Sequence, residues 1–216
     1  MKKLNLKQKN KRNYIVIFDE MPQGELPVSK VRSLSLFGNL FAIDDPEIDQ
    51  KQSNDIIIEI TNYAWQRLLN WLAMQERSLW ECRRYLQKLS LAENIAADLL
   101  EKAQGYNYIN DERFAELYIN SLIENGKSYN EIKAKLRTKI ADSELLDNWL
   151  HEHYSRHKQQ DVLKGNIKKL SGRWTDLEPA KRLHKMIEYL SRRGFSYYEI
   201  KDAIASLEEE YENDDS

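Results

Sequence analysis

A short serine-led pattern occurs three times in this chain and constrains its fold more than any other feature. The three copies begin at Ser78, Ser128 and Ser196, and each has a glutamate three positions later. A serine hydroxyl at this position can accept a hydrogen bond from the third amide of a new helix, while the glutamate reaches back to the serine amide. Each copy therefore predicts the start of a helix.

The segments that precede the serines also align without gaps. Leu72, Leu122 and Leu190 share one column, and Gly126 and Gly194 share one stop position. The pattern predicts a helix, a tight turn and a capped helix in each copy. Such chains bury each unit against its neighbours, so we expect a stack of helical modules and not an enzyme with one cleft. The unequal spacing of the serines indicates diverged units with insertions.

Composition supports a helix-rich protein and excludes several classes. Of the 216 residues, 41% are hydrophobic and 31% are charged, with only 7 Gly and 4 Pro, which argues against a disordered chain. No apolar run approaches the roughly 20 residues of a membrane span, and no signal-peptide core follows Met1, so we expect a cytoplasmic protein. The single cysteine, Cys82, aligns with Ile132 and Ile200 and is predicted to be a buried apolar residue.

The net charge of −2 conceals opposite charges at the two ends of the chain. The charged residues of 1–12 are all basic, whereas the last residues are strongly acidic. We expect a basic flexible tail over 1–12 and an acidic tail over 211–216. Such segregation suits a polyanionic or a patchily charged partner, although charged runs are most often solvated surfaces.

A small β element is predicted between the basic tail and the repeats. Residues 14–18 are β-branched and aromatic and predict one strand, and residues 26–28 predict a second. Ser29 is a candidate cap for a short helix that carries Phe37 on its apolar stripe and stops at Gly38.

The boundary to the helical part falls in the polar residues 44–54, which predict a linker. Residues 56–60 fit either a strand or the start of a long helix, and we favour the helix. The predicted divisions are a β-hairpin and helix element with its linker over 13–52, and three-helix repeats over 53–107, 108–154 and 155–210.

The chain shows no catalytic or metal-binding pattern. His153 and His157 share a predicted helix face, but His151 points elsewhere, so the histidines do not predict a metal site. No nucleophile elbow or phosphate loop accompanies the many acidic residues. We therefore expect neither catalysis nor a cofactor, and a hydrolase with an unrecognised site is disfavoured.

Basic residues recur at the turns and on the capped helices, and they form the candidate interface. Arg77 and Lys127 stand at equivalent turn positions. Cations in a last helical turn stabilise that helix, yet cations on stacked helices can also follow phosphates without reading bases. The predicted partner-binding and DNA-binding residues are Arg83, Arg84, Lys133, Lys135, Arg137, Arg192 and Arg193.

Three segments of the chain resemble the RecX family of regulatory proteins. They are Tyr108–Ala115, Arg77–Ser78 with Glu81 and Leu86, and Leu190–Ser196 with Ile200. The likeness covers residues 63–207, and the strand that ends at Phe18 resembles the N-terminal hairpin of longer members.

The resemblance implies a mainly α protein in which three tandem three-helix repeats form an elongated, curved body. It implies binding to the RecA recombinase, as monomer and as filament on single-stranded DNA, and inhibition of its ATPase, strand-exchange and coprotease activities in recombinational repair and the SOS response. We expect a monomer that does no chemistry and binds DNA directly only weakly.

A DNA-binding transcription regulator is the alternative, because a helix, a turn and a capped helix also describe a helix-turn-helix. Three such units in tandem and the lack of an obvious dimerisation helix argue against it.

Overall fold

The computed structural model describes residues 1–34, 36, 46–140 and 142–214. Ten helices and four strands lie within these ranges. The chain divides into two compact units, unit 1 (Met1–Asn110) and unit 2 (Asp111–Ser216). The mainly helical fold with a small N-terminal antiparallel sheet confirms that part of the prediction, while the elongated, curved body stays a prediction. Among the described residues, no helix combines the length and the apolar character that a membrane span requires.

Unit 1 opens with an antiparallel sheet. Its strands are β1 (Lys2–Gln8), β2 (Asn13–Phe18), β3 (Met21–Pro27) and β4 (Glu47–Ile48), in the order β3-β2-β1-β4. Alternate residues such as Leu4 and Val16 point to one face and are buried with Ile60 of the helix that covers it. Asp19 and Glu20, both with positive φ, form the two-residue turn between β2 and β3.

The predicted hairpin is confirmed, but the predicted basic tail is wrong. The strand predicted at residues 26–28 is β3, and it begins earlier than expected, at Met21. Residues 2–8 form β1, because Leu4 and Leu6 alternate with polar residues and pair with β2. The alternation consists of only two leucines among lysines and polar residues, so the sequence of this strand resembles a basic tail more than a strand.

The short helix after the sheet, α1, spans Val28–Ser33. Pro27 is its N-cap and Ser29 lies inside it, so the predicted serine cap is wrong. Phe37 and Gly38, the residues expected to complete this helix, lie outside the described residues.

The described part of the predicted linker is structured. Residues 44 and 45 lie outside the described ranges, but Glu47–Ile48 is strand β4. Asp49 then caps the next helix through a reciprocal pair of hydrogen bonds with Gln52, of 2.7 and 3.0 Å. The polar residues that suggest a linker are therefore a helix start, because an aspartate and a glutamine at this spacing form a capping box.

Three helices complete unit 1: α2 (Gln50–Leu72), α3 (Leu79–Lys88) and α4 (Glu93–Gly105). The helical alternative for residues 56–60 is confirmed, because Ile56 and Ile60 lie one turn apart on α2 and both face the sheet. Cys82 is fully buried beside Leu86 in the hydrophobic cluster of the three helices, as its position predicted.

Unit 2 contains α5 (Asp111–Glu124), α6 (Tyr129–Arg137), α7 (Ser143–His153), α8 (Arg156–Ser171), α9 (Pro179–Arg192) and α10 (Tyr197–Asp214). One buried cluster joins α5, α6 and α7, and a second joins α8, α9 and α10. The predicted cap Asp142 is confirmed by hydrogen bonds from two amides of α7. Residues 211–214 continue α10, so the predicted acidic tail is wrong there, and residues 215 and 216 lie outside the described chain.

The order of helices differs among the three groups. In α2–α4 and in α5–α7 the helix that begins after a repeated serine, α3 or α6, is second, and a further helix follows it. In α8–α10 the additional helix comes first, and the capped helix α10 is last. The pair formed by a helix and the serine-capped helix after it thus recurs in each group. The third helix follows this pair in the first two groups and precedes it in the last, which accounts for the unequal spacing of the three serines.

Candidate partner interface

The serine caps close completely in the first and third copies. The Ser78 hydroxyl accepts a hydrogen bond from the Glu81 amide (3.2 Å), and the Glu81 carboxylate accepts one from the Ser78 amide (3.4 Å). Ser196 and Glu199 form the same reciprocal pair, at 3.3 and 2.7 Å. These two boxes confirm the prediction and fix where α3 and α10 begin.

The two turn cations, Arg77 and Lys127, each make a contact within the fold. In the second copy the Ser128 hydroxyl accepts from the Glu131 amide, but the Glu131 carboxylate pairs with Lys127 at 2.7 Å. This box is therefore half formed, which corrects the prediction. The guanidinium of Arg77 lies over the ring of Trp71, 4.5 Å from its centre. Both turn cations are thus engaged within their own helix groups.

The two glycine turns of unit 2 lie against neighbouring elements. Gly126 and Gly194 have φ angles of 71° and 85°, the left-handed conformation that favours glycine at a helix end. The Asn130 side chain donates to the Gly194 carbonyl at 3.2 Å, and a Cβ on Gly194 would lie 2.5 Å from the Ser128 hydroxyl. The turn after α9 therefore contacts the first turn of α6. The turn after α5 contacts α8 instead, because the Asn166 side chain donates to the Gly126 carbonyl at 3.0 Å.

The predicted arginines of α3 belong to unit 1. Arg83 and Arg84 are both exposed. The guanidinium of Arg84 lies 4.7 Å from the ring centre of Trp80, one helical turn away. A guanidinium stacked on a ring keeps its N–H donors at its edge, where they can reach a phosphate or a carboxylate.

The three predicted cations of α6 have different surroundings. Lys133 pairs with Asp147 of α7, with 2.7 Å between Nζ and Oδ1. Arg137 is exposed and shares the helix face of Lys133. Lys135 is half-buried and lies roughly 200° around the helix from Lys133. The structure therefore does not bring these three side chains to one face.

The basic pair at the end of α9 has one exposed and one engaged member. Arg192 is exposed, and its pair with Glu188, at 3.3 Å, contributes about 0–1 kcal/mol because water screens both charges. Arg193 lies 5.0 Å from the ring centre of Tyr189 and donates to the Asn125 carbonyl at 3.4 Å. Arg193 thus ties the end of α9 to the end of α5.

The histidines are dispersed. His153 ends α7 and His157 lies in α8, which Ser155 caps, so the helix face that the sequence suggests for this pair is wrong. His157 lies 3.7 Å from Asp161. Among the described residues, no three metal-ligating side chains form a group.

Sequence reasoning misses an aromatic cluster at the end of α4. The ring of Trp65 lies 6.5 Å from that of Tyr106 and 6.3 Å from that of Tyr108, and the two tyrosine rings are 5.5 Å apart. The ammonium of Lys102 lies 4.6 Å from the centre of the Trp65 ring. The available sequence signal is a pair of tyrosines around Asn107 just after a helix, which by itself predicts only a turn.

The sequence is similar to those of curated RecX proteins. It is 26% identical over 154 residues to the regulatory protein RecX of Haemophilus influenzae, covering 71% of this chain and 100% of that protein. It is 27% identical over 177 residues to the Bacillus licheniformis protein of the same name, covering 80% and 64% of the two chains. For the Lactococcus lactis protein the identity is 28% over 212 residues, with 96% and 77% covered. No family model matches the chain.

Solved structures show the same likeness of fold. A crystal structure of a regulatory protein RecX aligns with a TM-score of 0.59 and 24% identity, covering 94% of this chain and 100% of that one. RecX from Lactobacillus salivarius aligns with a TM-score of 0.60 and 24% identity, covering 68% and 96%. The comparisons confirm the resemblance that the three sequence segments predicted, and in sequence and fold this chain is similar to the RecX regulatory proteins.

Proposed function

We propose that this protein is a regulator of the RecA recombinase. It binds RecA as monomer and as filament on single-stranded DNA, and it inhibits ATP hydrolysis, strand exchange and repressor cleavage in recombinational repair and the SOS response. It acts as a cytoplasmic monomer by occupying a surface, without chemistry of its own. The similar proteins are named regulatory proteins, which supports a regulatory role.

The three helix groups are proposed to be diverged copies of one helical unit. In each, the fourth residue after the capping serine packs into the core, and Cys82, Ile132 and Ile200 are all fully buried. Equivalent capped helices would then present their outer faces to equivalent features of a repeating partner. A filament is such a partner, and this recurrence is the observation that best supports filament binding.

The proposed contacts are the seven cations predicted from the sequence: Arg83, Arg84, Lys133, Lys135, Arg137, Arg192 and Arg193. Exposure supports Arg83, Arg84, Arg137 and Arg192 most strongly. Lys133 and Arg193 also hold helices together, so their replacement would change stability as well as binding. Contacts of this kind follow a phosphate backbone or acidic side chains and do not select a base sequence.

The test is a titration of RecA that is hydrolysing ATP on single-stranded DNA. The proposal expects turnover to fall with added protein and to be abolished near saturation. Unchanged turnover, together with no binding to the filament, would refute it.

A charge-reversal variant tests two proposed contacts of α6, Lys135 and Arg137, which lie on different faces of that helix. Lys135→Glu with Arg137→Glu should weaken inhibition about tenfold or more, since each lost phosphate contact reduces affinity, and far-UV circular dichroism should stay unchanged. The control is Lys181→Glu with Lys185→Glu, which alters the charge equally on exposed positions of α9. Equal inhibition by both double variants would remove α6 from the interface.

A DNA-binding transcription regulator remains the second candidate, because α5 and α6 are two helices joined by a tight glycine turn. Duplex binding that depends on base sequence, without any effect on RecA, would favour that candidate.

A further inference from the structure

The aromatic cluster of unit 1, formed by Trp65, Lys102, Tyr106 and Tyr108, is presented to solvent. Tyr106 is 59% exposed and Tyr108 is 47% exposed, and both lie outside the buried cluster of α2–α4. Trp65 is half-buried and packs on that cluster, so it supports the two tyrosines from behind. Tyrosine rings placed in this way contribute little to the core.

The backbone fixes the position of both tyrosines. Asn107 has a φ of 55°, and its amide donates to the Gln104 carbonyl at 2.8 Å. The Tyr108 amide donates to the Ala103 carbonyl, also at 2.8 Å, which completes a Schellman motif at the end of α4. Ile109 follows and is buried, so the segment is anchored on both sides. The rings are therefore held ready for a ligand, which reduces the entropy lost on binding.

We propose that these four residues form a stacking platform for the bases of single-stranded DNA, in which Lys102 meets a neighbouring phosphate. This inference rests on the proposed function, since a RecA filament supplies the strand. The exposed faces of Tyr106 and Tyr108 accept bases of any sequence, because every base has a π-face. The exposed ammonium of Lys102 complements the negative backbone that accompanies each base.

Single strands fit this surface better than a duplex does. The bases of a duplex are stacked on each other, so their faces are hidden from protein rings. The two tyrosine rings are 5.5 Å apart and tilted by 32°, so each ring has its own orientation and could stack with a different base. A cation beside aromatic rings is the combination that proteins use to hold single strands without sequence preference.

The test measures the fluorescence anisotropy of a fluorescein-labelled oligo(dT) strand with the full chain. Tyr106→Leu with Tyr108→Leu should weaken binding about tenfold or more, because stacking is lost while apolar bulk remains. Tyr106→Phe with Tyr108→Phe should bind like the wild type, because the π-faces are kept. Met74→Ala, at an exposed apolar position of the same unit, is the control and should also bind like the wild type.

Salt dependence separates stacking from charge. The loss caused by the double leucine variant should be the same fold at about 50 mM and about 200 mM salt, since no phosphate contact is removed. Lys102→Gln should instead flatten the plot of log affinity against log salt by about 0.7, the value for one phosphate contact on a single strand.

Three outcomes would overturn the platform. They are equal binding by the leucine and phenylalanine variants, no oligo(dT) binding by the wild type at low salt, and a leucine variant that loses binding to RecA without DNA while keeping its oligonucleotide affinity. The last would assign the cluster to a protein contact. RecA inhibition by the wild type is measured in parallel and tests the proposed function separately. If the wild type inhibits RecA but the double leucine variant keeps its full oligo(dT) affinity, the platform alone is refuted.

Discussion

At the scale of single residues, Gly194 carries the sharpest constraint. Its φ of 85° is strained for any residue with a side chain. A Cβ added at this position would also lie only 2.5 Å from the Ser128 hydroxyl oxygen. Gly194→Ala should therefore lower the free energy of unfolding by about 1–2 kcal/mol, as measured by urea denaturation.

The matched control for this substitution is Gly165, which lies inside α8 with open space around the position of a Cβ. Gly165→Ala should raise the free energy of unfolding by about 0.5–1 kcal/mol, because alanine is the better helix former. Equal effects of the two alanines would contradict the turn geometry.

Tyr154 predicts a pH dependence. Its hydroxyl donates to the Lys127 carbonyl at 2.8 Å, and burial, followed by the Glu199 carboxylate, raises the pKa of Tyr154 well above its ordinary value. The unfolded chain ionises this phenol above about pH 10 while the folded chain keeps it neutral, so the stabilisation is complete below that pH and is lost as pH rises further.

The measurement compares the wild type with Tyr154→Phe by urea denaturation. At neutral pH the variant should be less stable by about 1–2 kcal/mol, because the partly buried Lys127 carbonyl loses its donor. Above about pH 10 the gap should narrow by at most about 1.4 kcal/mol per pH unit. A gap that is constant with pH would show that the phenol is not held neutral by folding.

The sequence predicts which residues are basic, but not what each one contacts. Lys133 is a candidate because it lies on a capped helix, yet Asp147 of another helix holds it. Arg193 is held by Tyr189 and by the Asn125 carbonyl, the latter far away in sequence. Partners across helices depend on tertiary packing, which residue spacing does not specify.

At the scale of elements, the capping serines are the devices that set the helix boundaries. Ser78→Ala removes the acceptor for the Glu81 amide at the start of α3 and should cost about 1 kcal/mol in urea denaturation. Ser191→Ala, at an exposed position inside α9, should be neutral or stabilising by up to about 0.5 kcal/mol. An equal cost at both positions would contradict a capping role.

Helices are predictable because their signals are local. A serine, a glutamate three residues later and an apolar stripe fall within one or two turns, and α3, α6 and α10 begin where they indicate. Strand β1 escapes prediction because its stability comes from pairing with β2, while its own residues are mostly lysine and polar. The charge of residues 211–214 suggests a tail, although these residues continue α10.

At the scale of the whole molecule, the sequence predicts recurrence but not its exact order. The pair of helix and capped helix occurs in all three helix groups, whereas the additional helix follows it twice and precedes it once. Periodicity reveals each helix separately, and the choice of neighbour depends on which apolar faces meet. The same limit applies to the aromatic cluster, which brings together residues from α2 and from the end of α4.

Direct binding to RecA tests the central claim most simply. The protein is mixed with RecA filaments assembled on single-stranded DNA with a non-hydrolysable nucleotide, and the filaments are sedimented. The account predicts saturable co-sedimentation that weakens in the Lys135→Glu, Arg137→Glu variant and not in the Lys181→Glu, Lys185→Glu control. Protein that stays in the supernatant at every filament concentration would contradict it.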